Sequence, residues 1–126
     1  MIATFLVFLG GGIGAALRHW VNLLSAYLFG LSFPWATLIV NVFGSFVIGV
    51  LAAYFAFRGA GGSQHVRLFL TTGILGGFTT FSAFSLDFAL LFERGEVAQG
   101  AAYVIASVGL SLAAIFLGLF AVRSFG

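Results

Sequence analysis

The amino-acid sequence predicts an all-α membrane protein with four transmembrane helices. Hydrophobic residues make up 62% of the 126 residues and charged residues only 6%, against roughly 25% charged residues in typical soluble proteins. A soluble fold of this size needs more polar surface than such a composition supplies. The ionisable residues and Pro34 also divide the chain into four apolar lengths, each close to the roughly 20 residues that cross a bilayer as a helix.

The four predicted spans follow one another with short linkers inside a single domain, residues 1–126. The second span begins at Pro34, a residue type favoured in the first turn of a helix. Residues 58–66 are rich in Gly and Ser and predict a loop, and residues 93–96 predict a tight polar turn. The predicted spans are Ile2–Leu24, with Arg18 and His19 near its end, Pro34–Phe57, Arg67–Phe92 and Val97–Val122.

The composition also excludes several classes of function. Without cysteine, the chain forms no disulfide and no thiolate metal site. A net charge of +2 without a basic cluster argues against nucleic-acid binding. We expect no enzymatic activity, because the few acid–base groups form no nucleophile–base pair and show no metal-ligand spacing. These groups are His19, His65, Asp87, Glu93 and Glu96.

Two of the predicted helices carry a stripe of polar residues, since positions four apart lie on one side of a helix. Hydroxyl groups in membrane helices often bond the carbonyl one turn earlier, so packing and a polar path explain either stripe equally well. Asn41 is harder to explain by packing, because unpaired amide groups in hydrocarbon are costly; it joins two helices or faces a polar path. The stripes are Thr37, Asn41 and Ser45 in the second span, and Tyr103, Ser107 and Ser111 in the fourth.

The third span contains the segment least suited to a continuous helix. Gly76 and Gly77 are followed by Thr79 and Thr80, and glycine pairs and β-branched residues weaken a helix. We expect a break near mid-membrane, where irregular backbone is tolerated only if it is buried in protein or lines a cavity. Carbonyls freed by the break are suitable ligands for a hard cation such as Na⁺.

Two phenylalanines lie just after this predicted break. Phe81 and Phe84 are three residues apart and therefore share a helix face, and the edge of a phenyl ring is positive. An anion can rest against such edges without a formal cation nearby. Ordinary packing explains most of the 17 Phe residues, and the neighbouring hydroxyls of Ser82 and Ser85 distinguish these two.

The first span combines glycines with one arginine. The spacing of Gly10 and Gly14 favours close helix packing, whereas a nucleotide-binding loop would need a preceding strand. Arg18 has two equally supported interpretations. Its side chain extends to the lipid headgroups, or it gives an aqueous vestibule a positive potential that concentrates anions.

The predicted loops show almost no charge bias. Both termini and the 58–67 linker share one side, with Arg58, Arg67 and Arg123, and the other side carries Arg94, plus Arg18 if that residue ends its helix. Because the asymmetry of Lys and Arg sets membrane topology, we expect insertion in both orientations. The alternative is that Arg58 and Arg67 suffice to fix one orientation.

Three motifs, in order along the chain, resemble those of the Fluc (CrcB) family of fluoride channels, and the resemblance covers the whole chain. Gly11–Arg18 is similar to the family's first-helix motif, Thr37–Ser45 to its second-helix motif, and Gly73–Ser85 to its third-helix signature. The resemblance implies four helices per subunit and an antiparallel, dual-topology homodimer with two fluoride pores.

The resemblance also implies roles for particular residues. A structural Na⁺ at the dimer centre, which is not transported, is held in the family by backbone carbonyls that match Gly76 and Thr79. The family's pore residues match Asn41, Phe81, Phe84, Ser107 and Ser111. With the polar stripes added, the expected fluoride pore is Asn41, Phe81, Phe84, Ser107, Ser111, Thr37, Tyr103 and Ser82, with Arg18 at the vestibule.

Three positions depart from the family pattern. Asp87 stands where the family usually carries Glu, and its side chain is one methylene shorter. Ala83 and Ile115 stand where the family usually carries Thr. Ala83 removes one hydroxyl beside the phenylalanines, and Ile115, one turn beyond Ser111, is expected to end the polar track of the fourth span early.

With this resemblance, the sequence predicts passive, selective export of fluoride from the cytoplasm across the bacterial inner membrane. The expected partners are the fluoride ion, the lipid bilayer and a second copy of the chain. The main alternative is a small dual-topology, proton-coupled multidrug exporter, which needs a membrane-embedded acid; the first span has none. A third interpretation, a membrane subunit that only packs against a partner, leaves Asn41 without a purpose.

Overall fold

A computed structural model describes residues 1–30, 32–57 and 64–125, and every regular element within those ranges is helical. Most of the predicted 58–66 loop, with Arg58, lies outside the described residues. The helices are α1 (Ile2–Phe29), α2 (Trp35–Phe57), α3 (Gln64–Leu68), α4 (Gly76–Phe78), α5 (Ser82–Glu93) and α6 (Val97–Phe125), with a π-helical segment, Phe69–Leu75, between α3 and α4.

Four stretches of the described chain are long and apolar enough to cross a membrane, which confirms the predicted all-α, four-span fold. They are Ile2–Phe29, Trp35–Ala56, Gln64–Glu93 and Val97–Ser124. The third span joins α3, the π-helical segment, α4 and α5. Large apolar side chains are exposed along these helices, which suits helices surrounded by lipid tails of similar polarity.

The first helix is longer than the sequence predicted, and the expected end near Leu24 is wrong. α1 continues to Phe29, and Gly30 follows with a positive φ of 79°, a conformation that glycine adopts at helix ends without steric cost. Arg18 suggested an earlier end, but a charged residue is tolerated inside a span when it has a polar partner. Arg18 therefore lies within α1 rather than at its terminus.

The third span is not one continuous helix. Helical backbone ends at Phe78, Thr79 is extended with a ψ of 159°, and helical backbone resumes at Ser82. The preceding segment, Phe69–Leu75, is π-helical, a rare geometry that occurs frequently at functional sites. The depth of this interruption in a bilayer stays a prediction.

Glycines bring α1 and the third span together at backbone distance. A Cβ atom added at Gly10 would lie 2.7 Å from the carbonyl oxygen of Phe69, and one added at Gly14 would lie 2.8 Å from the backbone nitrogen of Phe78. Real Cβ atoms do not approach backbone this closely, so larger residues would separate the helices. The predicted close packing through Gly10 and Gly14 is confirmed.

The helices α2 and α6 form a second close pair in the same way. A Cβ added at Gly118 would collide with the carbonyl oxygen of Phe46 and lie 2.8 Å from the backbone nitrogen of Val50. Gly49 faces the carbonyl group of Ile115 just as closely. The described bundle thus contains two tightly packed pairs, α1 with the third span and α2 with α6.

The predicted polar turn between α5 and α6 is confirmed. Gly95 has a φ of 80°, and Arg94 Nε lies 3.0 Å from Glu96 Oε1 in an exposed ion pair. Arg94 Nη2 also donates to the carbonyl oxygen of Ser32 at 3.2 Å. This side chain therefore connects the turn to the linker between α1 and α2.

Candidate functional site

A groove of about 420 Å³ lies between α2, the third span and α6, and it is open to one side of the bundle. Its lining is mostly apolar, but hydroxyl, amide and backbone groups from three spans meet in it. The groove contains the expected pore residues Asn41, Phe81, Phe84, Ser107 and Ser111 and the expected cation-binding positions Gly76 and Thr79.

Asn41 binds the backbone of the interrupted segment with both ends of its amide. Its Nδ2 donates to the carbonyl oxygen of Thr80 at 3.0 Å, and its Oδ1 accepts from the Thr80 N–H at 2.9 Å. Both backbone groups lost their helical partners when the helix was interrupted. One N–H of the Asn41 amide remains, because the group carries two donors. Asn41 thus joins α2 to the third span, one of the two roles that the sequence left open, and it also lines the groove.

Thr80 also contacts the first turn of α5. Its Oγ1 accepts a hydrogen bond from the backbone N–H of Ala83 at 3.2 Å and lies 3.3 Å from Ser82 Oγ. A threonine hydroxyl that accepts from an unpaired N–H near a helix start is the interaction that caps α-helices. The interruption therefore has a defined shape, closed by α2 on one side and by the start of α5 on the other.

The backbone carbonyls at the interruption differ in their partners. The oxygen of Leu75 accepts from the N–H and from Oγ1 of Thr79, both at 2.9 Å, and the oxygen of Gly77 accepts from Arg18 Nε at 3.2 Å. Among the described residues, no donor contacts the carbonyl oxygens of Gly76 and Thr79. These two oxygens are therefore free to bind another group.

Arg18 lies against the third span, and its extension to the headgroups and its role at a vestibule both stay predictions. Its side chain is half-buried, and its Nε points to the end of α4, where it donates to Gly77. The exposed neighbour His19 has no such contact. A guanidinium group inside the bundle thus takes the place of a missing helical N–H, which is a favourable position for a cation at a helix C-terminus.

The hydroxyl groups along the groove also fall into two classes. Thr71 and Thr79 each donate to the carbonyl one turn earlier, of Arg67 at 2.7 Å and of Leu75 at 2.9 Å. Ser107 Oγ is buried and has no hydrogen-bond partner among the described residues. Thr71 and Thr79 therefore bond within their own span, whereas the Ser107 hydroxyl is buried beside the groove without a partner among the described residues.

The aromatic rings form a chain from the rim of the groove into the core. The ring centroids of Phe81 and Phe84 are 5.6 Å apart, and those of Phe84 and Tyr103 are 5.1 Å apart. Phe81 exposes 78% of its surface in the single chain, whereas Tyr103 is fully buried. Both Phe81 and Phe84 line the groove, and Tyr103 lies behind them.

Three of the expected pore residues do not line the groove. Tyr103 lies behind Phe84, and its hydroxyl donates to Asp87 Oδ2 at 3.0 Å. Thr37 is buried and Ser82 is exposed, both outside the groove lining. Helical spacing predicted Thr37 and Tyr103, and closeness to Phe81 predicted Ser82, but neither criterion fixes whether a side chain reaches the groove.

Several lining residues were not singled out as site residues from the sequence. The most informative is Thr80, whose hydroxyl accepts from the Ala83 N–H; without Glu or Gln at residue 83 the sequence shows no capping box there. Gly44 was also missed. A Cβ atom at this position would collide with the Thr79 methyl group, so a residue without a side chain leaves room for Thr79. The other missed lining residues are Ser45, Ile48, Thr71, Leu75 and Val108.

Four apolar helices long enough to span a bilayer, with a polar groove along their side, define a small multi-pass membrane protein. Among the described residues, no three His, Cys, Asp or Glu side chains group as a metal site. The chain belongs to the CrcB family, whose model, described as CrcB-like protein, Camphor Resistance (CrcB), matches residues 5–119.

Similar proteins match the chain over nearly its whole length. A protein of Rhodopseudomonas palustris (strain BisB5) is 60% identical over 119 residues, which is 94% of this chain and 95% of the relative. A protein of Methylobacterium sp. (strain 4-46) is 55% identical over 126 residues, all of both chains. One of Rhizobium etli (strain CIAT 652) is 56% identical over 124 residues, 98% of each chain. All three are named fluoride-specific ion channel FluC.

Proposed function

We propose that this protein is a fluoride-selective ion channel that lets fluoride leave the cytoplasm passively and so lowers its toxicity. The observation that carries the proposal is the buried Ser107 hydroxyl, which has no partner in the described chain and lines the same groove as Asn41, Phe81 and Phe84. A buried unpaired donor is unfavourable unless something else binds it. The names of the bacterial relatives support fluoride as that partner.

The groove offers an anion several weak partners rather than one strong one. Fluoride is strongly hydrated, and its lost water must be replaced by donors such as the remaining Asn41 N–H and the hydroxyls of Ser107 and Ser111. The positive ring edges of Phe81 and Phe84 add to these. A set of weak contacts lets the ion enter and also leave, as conduction requires. We expect larger halides to be rejected by the width of the path.

An antiparallel homodimer with two pores completes the proposal. The groove is open along one side, and Phe81 at its rim is 78% exposed, so a second copy of the chain would close the path. The distribution of basic residues between the two sides supports dual topology less than the sequence suggested. Arg18 lies inside α1 and no longer counts as a loop residue, which leaves Arg94 alone against the three arginines of the other side. A C-terminal reporter should respond from both sides of the membrane, and a response from one side alone would contradict dual topology.

A structural Na⁺ at the dimer centre fits the residues present. Carbonyl oxygens are hard ligands that suit a hard cation, and those of Gly76 and Thr79 have no donor among the described residues. Two copies of the chain would contribute two such pairs. The ion would supply positive charge that holds the two interrupted spans together, without being transported.

The multidrug-exporter alternative gains no support. Proton-coupled export of a cation needs an acidic residue that both substrates reach within the membrane. Asp87 is the only acidic residue within the third span before its terminal Glu93, and it accepts a hydrogen bond from the buried Tyr103 outside the groove. The relatives are named as fluoride channels. We place the protein in the bacterial plasma membrane, consistent with its four spans.

The decisive experiment is ion efflux from liposomes that contain the purified protein with Na⁺ on both sides. We expect rapid fluoride efflux and no measurable chloride efflux, and equal permeation of both ions would refute selectivity. Phe81→Ala should abolish fluoride efflux while the protein still assembles. Phe120→Ala is the matched control, because this exposed phenylalanine of α6 lies outside the groove and its loss should leave efflux unchanged.

A further inference from the structure

We propose that Arg18 is a positioning residue, which fixes the shape of the interrupted third span through the N–H of its Nε atom rather than through its positive charge. Nε donates to the carbonyl oxygen of Gly77 at 3.2 Å, across 59 positions of the chain. This proposal rests on the proposed function, because the interrupted span forms one wall of the proposed pore and carries the proposed Na⁺ ligands.

The route from Arg18 to lipid headgroups is long. α1 continues from Arg18 to Phe29, a further distance of roughly 16 Å at 1.5 Å per residue. The half-buried side chain instead lies against the third span. Its contact is therefore inside the bundle.

The glycine packing of α1 aims this side chain at its target. Gly10, Gly14 and Arg18 are spaced four apart, so they lie on one face of α1. At Gly14, the two backbones are so close that a Cβ would lie 2.8 Å from the Phe78 nitrogen. One turn further along the same face, Arg18 emerges beside the end of α4 and meets the carbonyl of Gly77.

The Gly77 carbonyl needs this partner for a specific reason. In a continuous helix it would accept from the N–H of residue 81, but helical backbone ends at Phe78. Without Arg18, the oxygen would stay unpaired in apolar surroundings, which is unfavourable. With Arg18, the Gly77 oxygen is occupied, and the Gly76 and Thr79 oxygens stay without a donor among the described residues.

Three substitutions separate the donor from the charge. In Arg18→Gln, the amide nitrogen is bonded to Cδ, as Nε is in arginine, so a donor stays at the same atom while the charge is lost. Arg18→Lys keeps the charge but moves the donor one carbon further out. Arg18→Met removes both and keeps an unbranched side chain. Arg123→Gln, at the exposed end of α6, is the matched control for loss of one positive charge.

Two measurements on the purified full-length protein test the proposal: the thermal unfolding midpoint in Na⁺, and fluoride efflux from liposomes. We expect Arg18→Gln to unfold within about 2 °C of the wild type and to retain at least a third of its efflux. We expect Arg18→Lys and Arg18→Met to unfold at least about 4 °C lower and to lose at least tenfold in efflux. Arg123→Gln should match the wild type in both.

The opposite order would overturn the proposal. If Arg18→Lys matches the wild type while Arg18→Gln fails, the charge acts and not the donor. If all three variants behave alike, whether intact or defective, the donor atom has no special role. A wild-type protein that conducts no fluoride would refute the channel proposal itself, whereas the order of the unfolding midpoints would still decide the role of Arg18.

Discussion

The third span and α6 both supply hydroxyl groups to one groove, but they supply them in different states. On the third span, Thr71 and Thr79 donate to carbonyls of their own segment. On α6, Ser107 Oγ is buried without a partner in the described chain. The same functional group is therefore committed on one wall of the groove and available on the other.

The backbones of the two walls also differ. The third span is π-helical and then interrupted, so the Thr80 backbone groups and the Gly77 carbonyl bind the side chains of Asn41 and Arg18. Thr71 and Thr79 instead bond the carbonyls one turn earlier, as hydroxyls in helices often do. α6 is a continuous helix from Val97 to Phe125, whose backbone needs no such help. The number of hydroxyls along a groove thus overstates the donors that an anion can use, and the regular helix supplies the usable ones.

The largest expected effect comes from Asn41, the side chain of α2 that holds the irregular wall in shape. Asn41→Ala leaves the part-buried N–H and carbonyl of Thr80 without partners, each at about 1 kcal/mol or more. It also removes the remaining amide donor from the groove. We expect fluoride efflux from liposomes to fall to the level of protein-free vesicles and the unfolding midpoint to drop by several degrees.

Asn22→Ala is the control for this substitution, since Asn22 is an exposed asparagine within α1. It should change neither efflux nor the unfolding midpoint. An Asn41→Ala protein that conducts fluoride like the wild type would show that the irregular wall needs no support from α2.

A smaller effect is expected at Ser107, the available donor of the regular wall. Ser107→Ala removes a hydroxyl that no group in the described chain uses, so the unfolding midpoint should stay the same or rise. A hydrogen bond to a charged group contributes about 1.5–3 kcal/mol, and each 1.4 kcal/mol corresponds to a factor of ten. We expect fluoride efflux to fall about tenfold or more.

The control is Ser124→Ala, at the exposed end of α6, which should leave efflux unchanged. A Ser107→Ala protein that loses stability but conducts normally would mean that the hydroxyl serves packing, and the contrast between the two walls would disappear.

The two walls also differ in how well the sequence predicts them. The four spans follow from the lengths of the apolar segments, and the close packing at Gly10 and Gly14 follows from their spacing. The predicted end of α1 was wrong because a charged residue such as Arg18 is expected near a helix end unless a polar partner is known. That partner, the Gly77 carbonyl, is 59 residues away along the chain, and no local sequence pattern predicts this contact.

The site shows the same limit. Helical periodicity placed Ser107 and Ser111 on the face that lines the groove, but it also included Tyr103, which lies behind Phe84 and binds Asp87. Periodicity fixes a face and not a depth. Which hydroxyl is free depends on distances between helices, and these are set by contacts across the bundle rather than along the chain.

The smallest expected effect is at Thr71, which lines the same groove as Ser107. Its hydroxyl donates to the backbone carbonyl oxygen of Arg67 at 2.7 Å. Thr71→Val keeps the branched shape and removes only a hydroxyl that its own segment already uses. Such bonds contribute about 1 kcal/mol or less, so we expect a slightly lower unfolding midpoint and fluoride efflux within twofold of the wild type.

Efflux and unfolding of Thr71→Val and Ser107→Ala should be measured side by side, because we expect opposite results. Thr71→Val should lose some stability and still conduct, whereas Ser107→Ala should keep its stability and conduct poorly. Equal losses of efflux would mean that fluoride draws the Thr71 hydroxyl away from Arg67, so that both walls of the groove donate to the ion.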